Sequence, residues 1–366
     1  MLEGVLAALG ATRSHSMRFT GIFQIAIVFV VTALASSVPR IAAADAYSIL
    51  AVEEMWGRVT ILAADDPQRR VSIPVGFKPH EIVVSPDGKT AYVSNFGLND
   101  AEIRDGIPGE TVSVIDIEHA RVCEELRLPS GLKAPHGLGV RPQHAQELFV
   151  NAEQGDRMIV FDASQSRMKR SFALPAGIHN FVFSQDGAVL FAFGSAGSVY
   201  RIDADSVAVR VARNMGAAVR GLAWTHDGQR LIAAVKGEIV ILSPTDLSTA
   251  KQFPLPNAPQ PFYCATSADD RMIFVPAVFD GTVTVLSALD GALIKTLPVG
   301  TPLRVALSPD EDVAYVANVS PKGRSITMLH IHSLETENIG GLRDINGLAF
   351  SRVVPTTLRA PAQAVQ

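Results

Sequence analysis

Cysteine is almost missing from this 366-residue chain: Cys123 and Cys264 are the only two. Two thiols so far apart make no disulfide framework, and no Cys-x-x-Cys-His sequence offers a site for covalent haem. Both cysteines read as small buried apolar residues. Charge is scarce as well, at 19% of residues, and it carries no basic excess: 32 Lys and Arg stand against 36 Asp and Glu. That balance argues against nucleic acid and against an anionic membrane surface as partners. Tryptophan occurs twice, at Trp56 and Trp224, and both positions read as packed between structural units. Also missing are a Gly-x-Ser-x-Gly elbow, a His-Glu-x-x-His helix motif and a phosphate loop, which disfavours the corresponding hydrolase and nucleotide chemistries. What is abundant is apolar content, 48% of the chain, ample for a large core.

One long uncharged run exists, residues 22–35 (IFQIAIVFVVTALA), preceded by Arg18 and followed by Ala42-Ala43-Ala44. A basic start, a short apolar stretch and an Ala-x-Ala site predict a secretory signal peptide over 1–44, with Met17 as the true start. The run is shorter than the roughly 20 residues of a spanning helix, so no stable membrane insertion is expected after cleavage. Removing the leader takes away three basic residues and one acidic residue, leaving 29 against 35, a net charge of −6. The expected location is the periplasm or the cell exterior.

The rest of the chain is repetitive. Turns recur as SPDG at Ser85, SQDG at Ser184, THDG at Thr225, SADD at Ser267 and SPDE at Ser308, with a divergent RPQH at Arg141. The last four begin 41, 42 and 41 residues apart. An apolar strand precedes each turn (EIVVS, NFVFS, GLAWT) and a second follows it (AYVSN, LFAFG, LIAAV). A third strand (TVSVIDI, EIVILSP) and a fourth (VCEELRL, LIKTLPV) complete each period. Four short strands per period of about 40 residues, joined by Gly/Asp/Pro turns, are the signature of a β-propeller blade. Residues 47–76 supply only three strands, and NGLAFS at 346–351 supplies the missing innermost one. The expected fold is therefore all-β: seven blades of four antiparallel strands over 45–354, with the N- and C-terminal strands sharing one blade. Residues 355–366, rich in Pro and small polar residues, read as a tail that extends or frays.

The stretches SPDGKTAYVSN, TVSVIDI and IPVGFKPHEIVVSPDG resemble the YVTN-repeat, or YncE-like, family of secreted seven-bladed propellers, over about residues 47–351. The resemblance implies the fold. For activity it implies only a range, since that superfamily includes binding proteins, redox-enzyme subunits and lactonases.

A second pattern is superimposed on the repeat. Five places before each turn stand His80, His136, His179, Arg220, Phe262 and Leu303, with Asn346 in the shared blade. This column falls where the innermost strand begins, so it is expected at one mouth of the central channel. Pro79, Pro135, Pro261 and Pro302 precede it in four blades and impose an extended start. One reading is a wet, polar rim with no ligand. A second is an anion pocket formed by His80, Glu81, His136, His179, Arg220, Arg304 and Asn346. A third is a metal site for Zn, Cu or Ni on His80, His136 and His179, with Glu81 as a further ligand or base. The insertion 96–110, carrying Asp100, Glu102, Asp105 and Glu110 against Arg104, is expected to overhang the same mouth. His119, His226, His330 and His332 read as surface or structural. The favoured function is a non-enzymatic binding or assembly module that takes a protein partner or small anionic ligand at the mouth. An enzyme at the mouth (lactonase or metal-dependent lyase) and a subunit of a periplasmic redox complex are the alternatives.

Overall fold

The computed structural model describes residues 46–100, 105–255, 260–319 and 325–359. The expected signal peptide, Glu102, Arg104 and residues 360–366 lie outside them. No helix among the described residues is long and apolar enough to cross a membrane.

Seven four-stranded antiparallel sheets are present. Numbered from the first complete unit, blades 1 to 6 cover 79–127, 133–173, 180–214, 219–254, 265–298 and 302–339. Blade 7 combines the strands Ser48–Glu53, Arg58–Ala63 and Asp66–Pro74 with Ile345–Ser351 as its innermost strand. The terminal strands pair antiparallel from Ser48↔Ser351 to Glu53↔Ile345. That pairing closes the ring and covers the inner edge of the Ser48–Glu53 strand.

The turn chemistry is the same from blade to blade. Ser85 Oγ donates to Asp87 at 2.6 Å and accepts from the Thr90 amide at 3.0 Å. Ser184, Thr225 and Ser267 each donate at 2.6 Å to the Asp two residues on. The fourth turn position is left-handed, with φ of 74° at Gly88, 53° at Asp270 and 63° at Glu311. Acidic residues hold that conformation at two of the turns where the others use glycine. Arg141 departs from the pattern because its side chain is buried. It donates to Gly187 O at 2.7 Å, Glu147 at 3.0 Å and Asp205 at 2.7 Å, tying blade 2 to blade 3.

Apolar side chains fill the seven gaps between consecutive blades. Leu148, Val150 and Phe161 of blade 2 meet Tyr92 and Val112 of blade 1, for example. Tyr315 and Ala317 of blade 6 meet Ile49 and Ile345 of blade 7. Middle strands are buried on both faces, which is why they read as continuous apolar runs rather than alternating ones.

Three expectations need correction. Cys123 is exposed on the outermost strand of blade 1, and only Cys264 is buried. Trp224 does pack between blades, donating to Phe183 O at 2.6 Å and meeting the Phe191 ring. Trp56 instead is 53% exposed, in a one-turn 3₁₀ helix flanked by the guanidiniums of Arg58 and Arg343. The described part of the tail does not fray. Leu358 is buried against blades 7 and 1, and the Thr356 amide donates to Glu118 O at 3.0 Å. His119, His226 and His332 are exposed and His330 is half-buried, away from the channel mouth.

Candidate ligand site at the channel mouth

Most of the innermost strands begin with an irregularity that sequence spacing does not reveal. The strand pairing slips at His80–Glu81 in blade 1, His136–Gly137 in blade 2, Arg220 in blade 4 and Leu303 in blade 6. A β-bulge bends the strand and re-aims the extra side chain. Here it separates two successive columns, one facing the mouth and one facing down the channel.

The deeper column reads Glu81, Gly137, Asn180, Gly221, Tyr263, Arg304 and Gly347. Its three glycines give the room that four large polar side chains take up. A Cβ on Gly137 would lie 2.6 Å from Asn180 Oδ1, and one on Gly221 would lie 2.8 Å from Phe262 O. Arg304 Nη2 donates to both carboxylate oxygens of Glu81, at 2.6 and 2.7 Å. Asn180 Nδ2 adds a third donor to Glu81 at 3.0 Å and reaches Tyr263 Oη at 3.3 Å. The Arg304 guanidinium lies 4.0 Å from the Tyr263 ring centre. A parallel bridge between Tyr263 and Arg304 holds the inner strands of blades 5 and 6 together at this level. Burial and the Glu81 charge push the Tyr263 hydroxyl far above its ordinary value, so it stays protonated. Glu81 and Arg304 are thus committed to each other as a polar plug across the channel.

Above the plug opens a cavity of about 1030 Å³. His80, His136, His179, Arg220 and Phe262 of the column line it; Leu303 and Asn346 do not. Asn346 instead donates to Glu54. The three imidazoles form a row, with ring centres 4.3 Å apart for His80–His136 and 3.9 Å for His136–His179. The insertion covers the row as expected. Phe96 meets the His80 and His136 rings edge-on at 5.5 and 4.8 Å, and Leu98 and Asn99 join the lining. Of the insertion's acids, Asp105 accepts from Asn99 at 2.8 Å and Glu110 pairs with Arg127 and Lys133, so both serve the scaffold.

His80 and His136 are neutral. Burial is the main cause, aided by the neighbouring His179 and Arg304, and it pushes His80 down to about 3. His136, with no exposed surface, is pushed well below its ordinary value by burial and by the rings on either side. Across the cavity, burial and the nearby Asp344 raise the Glu54 carboxyl to about 7, against an opposing pull from Lys78.

Glu54, Glu153 and Lys236 went unread in the sequence. Glu153 Oε1 stands 2.6 Å from His179 Nδ1 and 3.6 Å from His136 Nδ1. Aligning the blades by strand register makes the signal visible. At the mouth-side end of the second strand come Glu54, Phe96, Glu153, Ser195, Lys236, Val278 and Val319. Four of these seven line the cavity, and Glu153 contacts two of the lining histidines.

No family model and no curated protein matches the chain. Solved structures do match in shape. Hydrazine synthase of Kuenenia stuttgartiensis superposes with a TM-score of 0.65 at 20% identity, over 79% of this chain and 93% of that one. A protein provisionally assigned as a 6-phosphogluconolactonase from Bacteroides uniformis gives 0.67 at 15%, over 84% and 100%. A protein of unknown function from Desulfotomaculum acetoxidans gives 0.64 at 16%, over 84% and 99%. At these identities the likeness establishes the propeller fold and nothing finer.

Proposed function

We propose that this chain is an exported binding propeller that takes a small anionic ligand in the channel-mouth cavity. The observation that carries the reading is the convergence of Arg220, Lys236 and three imidazoles on one concave space of about 1030 Å³. Such a volume suits a small organic ligand, and cationic side chains beside imidazole N–H donors suit carboxylate or phosphate groups. Phe96, Phe262 and Phe279 would cover the ligand's apolar parts. The mouth-side loops also carry the exposed side chains Met55, Trp56, Phe77, Ile107 and Phe279, which favour contact with a further protein on this face. The YncE-like resemblance and the expected leader support a periplasmic or secreted setting.

The test is calorimetric titration of the full chain with phosphate, citrate and 6-phosphogluconate, in EDTA. One of these is expected to bind with a dissociation constant below about 100 μM, weakened about tenfold or more in Lys236→Ala. No binding by any of them, or equal binding by the variant, would overturn the reading.

One observation favours an enzyme as the second reading: a carboxyl raised to about 7, Glu54, lines the same cavity. A group so poised suits general acid–base work at neutral pH. The likeness to a protein provisionally assigned as a lactonase is compatible with it. Turnover of a lactone or ester that is lost in Glu54→Gln would move the function into this class.

A further inference from the structure

We propose that the channel-mouth cavity takes a dipolar ligand, a peptide of about three residues, with its terminal ammonium at Glu54 and its terminal carboxylate at Lys236 and Arg220. The inference rests on the anion-binding reading above and adds to it the cationic end of the ligand.

The cavity has two poles of opposite charge. The cationic pole belongs to blade 4: Arg220 lies in its innermost strand, Val219–Trp224, and Lys236 follows its second strand, Leu231–Val235. Glu54 holds the position matching Lys236 in blade 7, directly after Ser48–Glu53. Blades 4 and 7 are three places apart in a ring of seven, the widest separation the ring offers. All three side chains line the one cavity, so cations stand on one wall and a carboxyl on the wall facing it. A purely anionic ligand would use the first wall and be repelled by the second.

The acidic wall carries a charge that its neighbours do not balance. Asp344 stands beside Glu54, and the Glu54 amide donates to its backbone carbonyl at 3.2 Å. Lys78 is the cation that acts on both carboxyls. Glu53, the preceding residue, is already engaged by Arg58 at 2.7 Å, and Asn346 donates to Glu54 without bringing a charge. Two carboxyls therefore share one ammonium. Burial and Asp344 push Glu54 up to about 7, and burial raises Asp344 as well, so a proton supplies the missing positive charge. A ligand ammonium would take over that role through charge-assisted hydrogen bonds.

The space between the poles suits a peptide. A cavity of about 1030 Å³ is roughly 10 Å across, and an extended chain advances about 3.3–3.6 Å per residue, so three residues bridge it. In a single amino acid one carbon separates the two charges, too short a span to reach both walls. Asn99, Ser195 and Gln260 offer uncharged donors and acceptors to the peptide groups. Phe96, Leu98, Phe262 and Phe279 offer apolar surface to a side chain between the ends.

The experiment is calorimetric titration of the full chain near pH 7, where a peptide's amine is charged, with Ala-Leu-Ala, its N-acetyl form and its C-terminal amide. Ala-Leu-Ala is expected to bind with a dissociation constant below about 100 μM. Blocking either end should weaken binding about tenfold or more, because each end loses a charge-assisted contact. Lys236 is exposed and Glu54→Gln is nearly isosteric, so both variants should fold, which a circular-dichroism melt checks. In Glu54→Gln the free and N-acetylated peptides should bind alike; in Lys236→Ala most of the preference for the acid over the amide should disappear. Equal binding of free and acetylated peptide by the parent, or a preference that survives in Glu54→Gln, would overturn the dipolar ligand and leave the anion pocket standing. So would a tripeptide that fails to bind where citrate or phosphate binds. If none of these compounds binds, both readings fall.

Discussion

Replacing Arg304 with methionine should destabilise the whole ring, although residue 304 lies outside every apolar core cluster. Its guanidinium nitrogen donates at 2.6 and 2.7 Å to Glu81, whose side chain is 8% exposed; that of Arg304 is 19% exposed. Removing one partner of a buried ion pair costs about 3–5 kcal/mol, because the other charge stays buried without compensation. Residual solvent at Arg304, and the Asn180 donor that Glu81 keeps, reduce this to roughly 2–4 kcal/mol. For a domain of about 310 residues the unfolding entropy is near 0.65 kcal/mol per degree, so the melting midpoint should fall by roughly 3–6 °C. Calorimetric melts of Arg304→Met, Glu81→Gln and the double variant measure it. The double variant should recover to within about 1 kcal/mol of the parent, since neither charge is then stranded. If Arg304→Met melts within about 1 °C of the parent, or the double variant is no better than the single, the plug is not the buried, coupled pair described here.

Deleting residues 345–366 removes the innermost strand of blade 7 and exposes the Ser48–Glu53 edge, so the midpoint should drop by more than roughly 10 °C and the chain should self-associate. Light scattering and a circular-dichroism melt would show it; an unchanged melt of a monomer would contradict closure by both termini. Glu54 offers a pH test. Its folded value of about 7 lies above the ordinary 4.5, so the folded state holds its proton more tightly than the unfolded state does. The stability from that proton is fully present below pH 4.5 and is lost as pH rises through 7. Glu54→Gln should therefore match the parent in acid and exceed it by about 1–3 kcal/mol at pH 8, measured by urea unfolding. An equal offset at both pH values would refute the raised carboxyl.

Much of this was legible in the repeat. Hairpins such as SPDG depend on neighbours within five residues, since Ser85 bonds Asp87 and Thr90, and local chemistry is what a sequence displays directly. The blade count followed from the period plus the split strand, and the histidine column from its fixed offset to each turn. Cys123 and Trp56 were misread because residue type predicts burial only on average, whereas the outermost strand and the mouth loops have no neighbouring blade to bury them.

Glu153 shows where the sequence stops. Its register position was available, but nothing local says that it meets His179, the first residue of the next blade to reach the mouth. Glu81 and Arg304 are 223 residues apart and touch only because the ring closes on itself. Strand identity and turn type come from short-range backbone preferences, so the chain carries them in its own order. The imidazole row, the plugged channel and the raised Glu54 depend on bulges that re-aim side chains and on burial supplied by other blades. Those are properties of the assembled ring, and no single blade contains them.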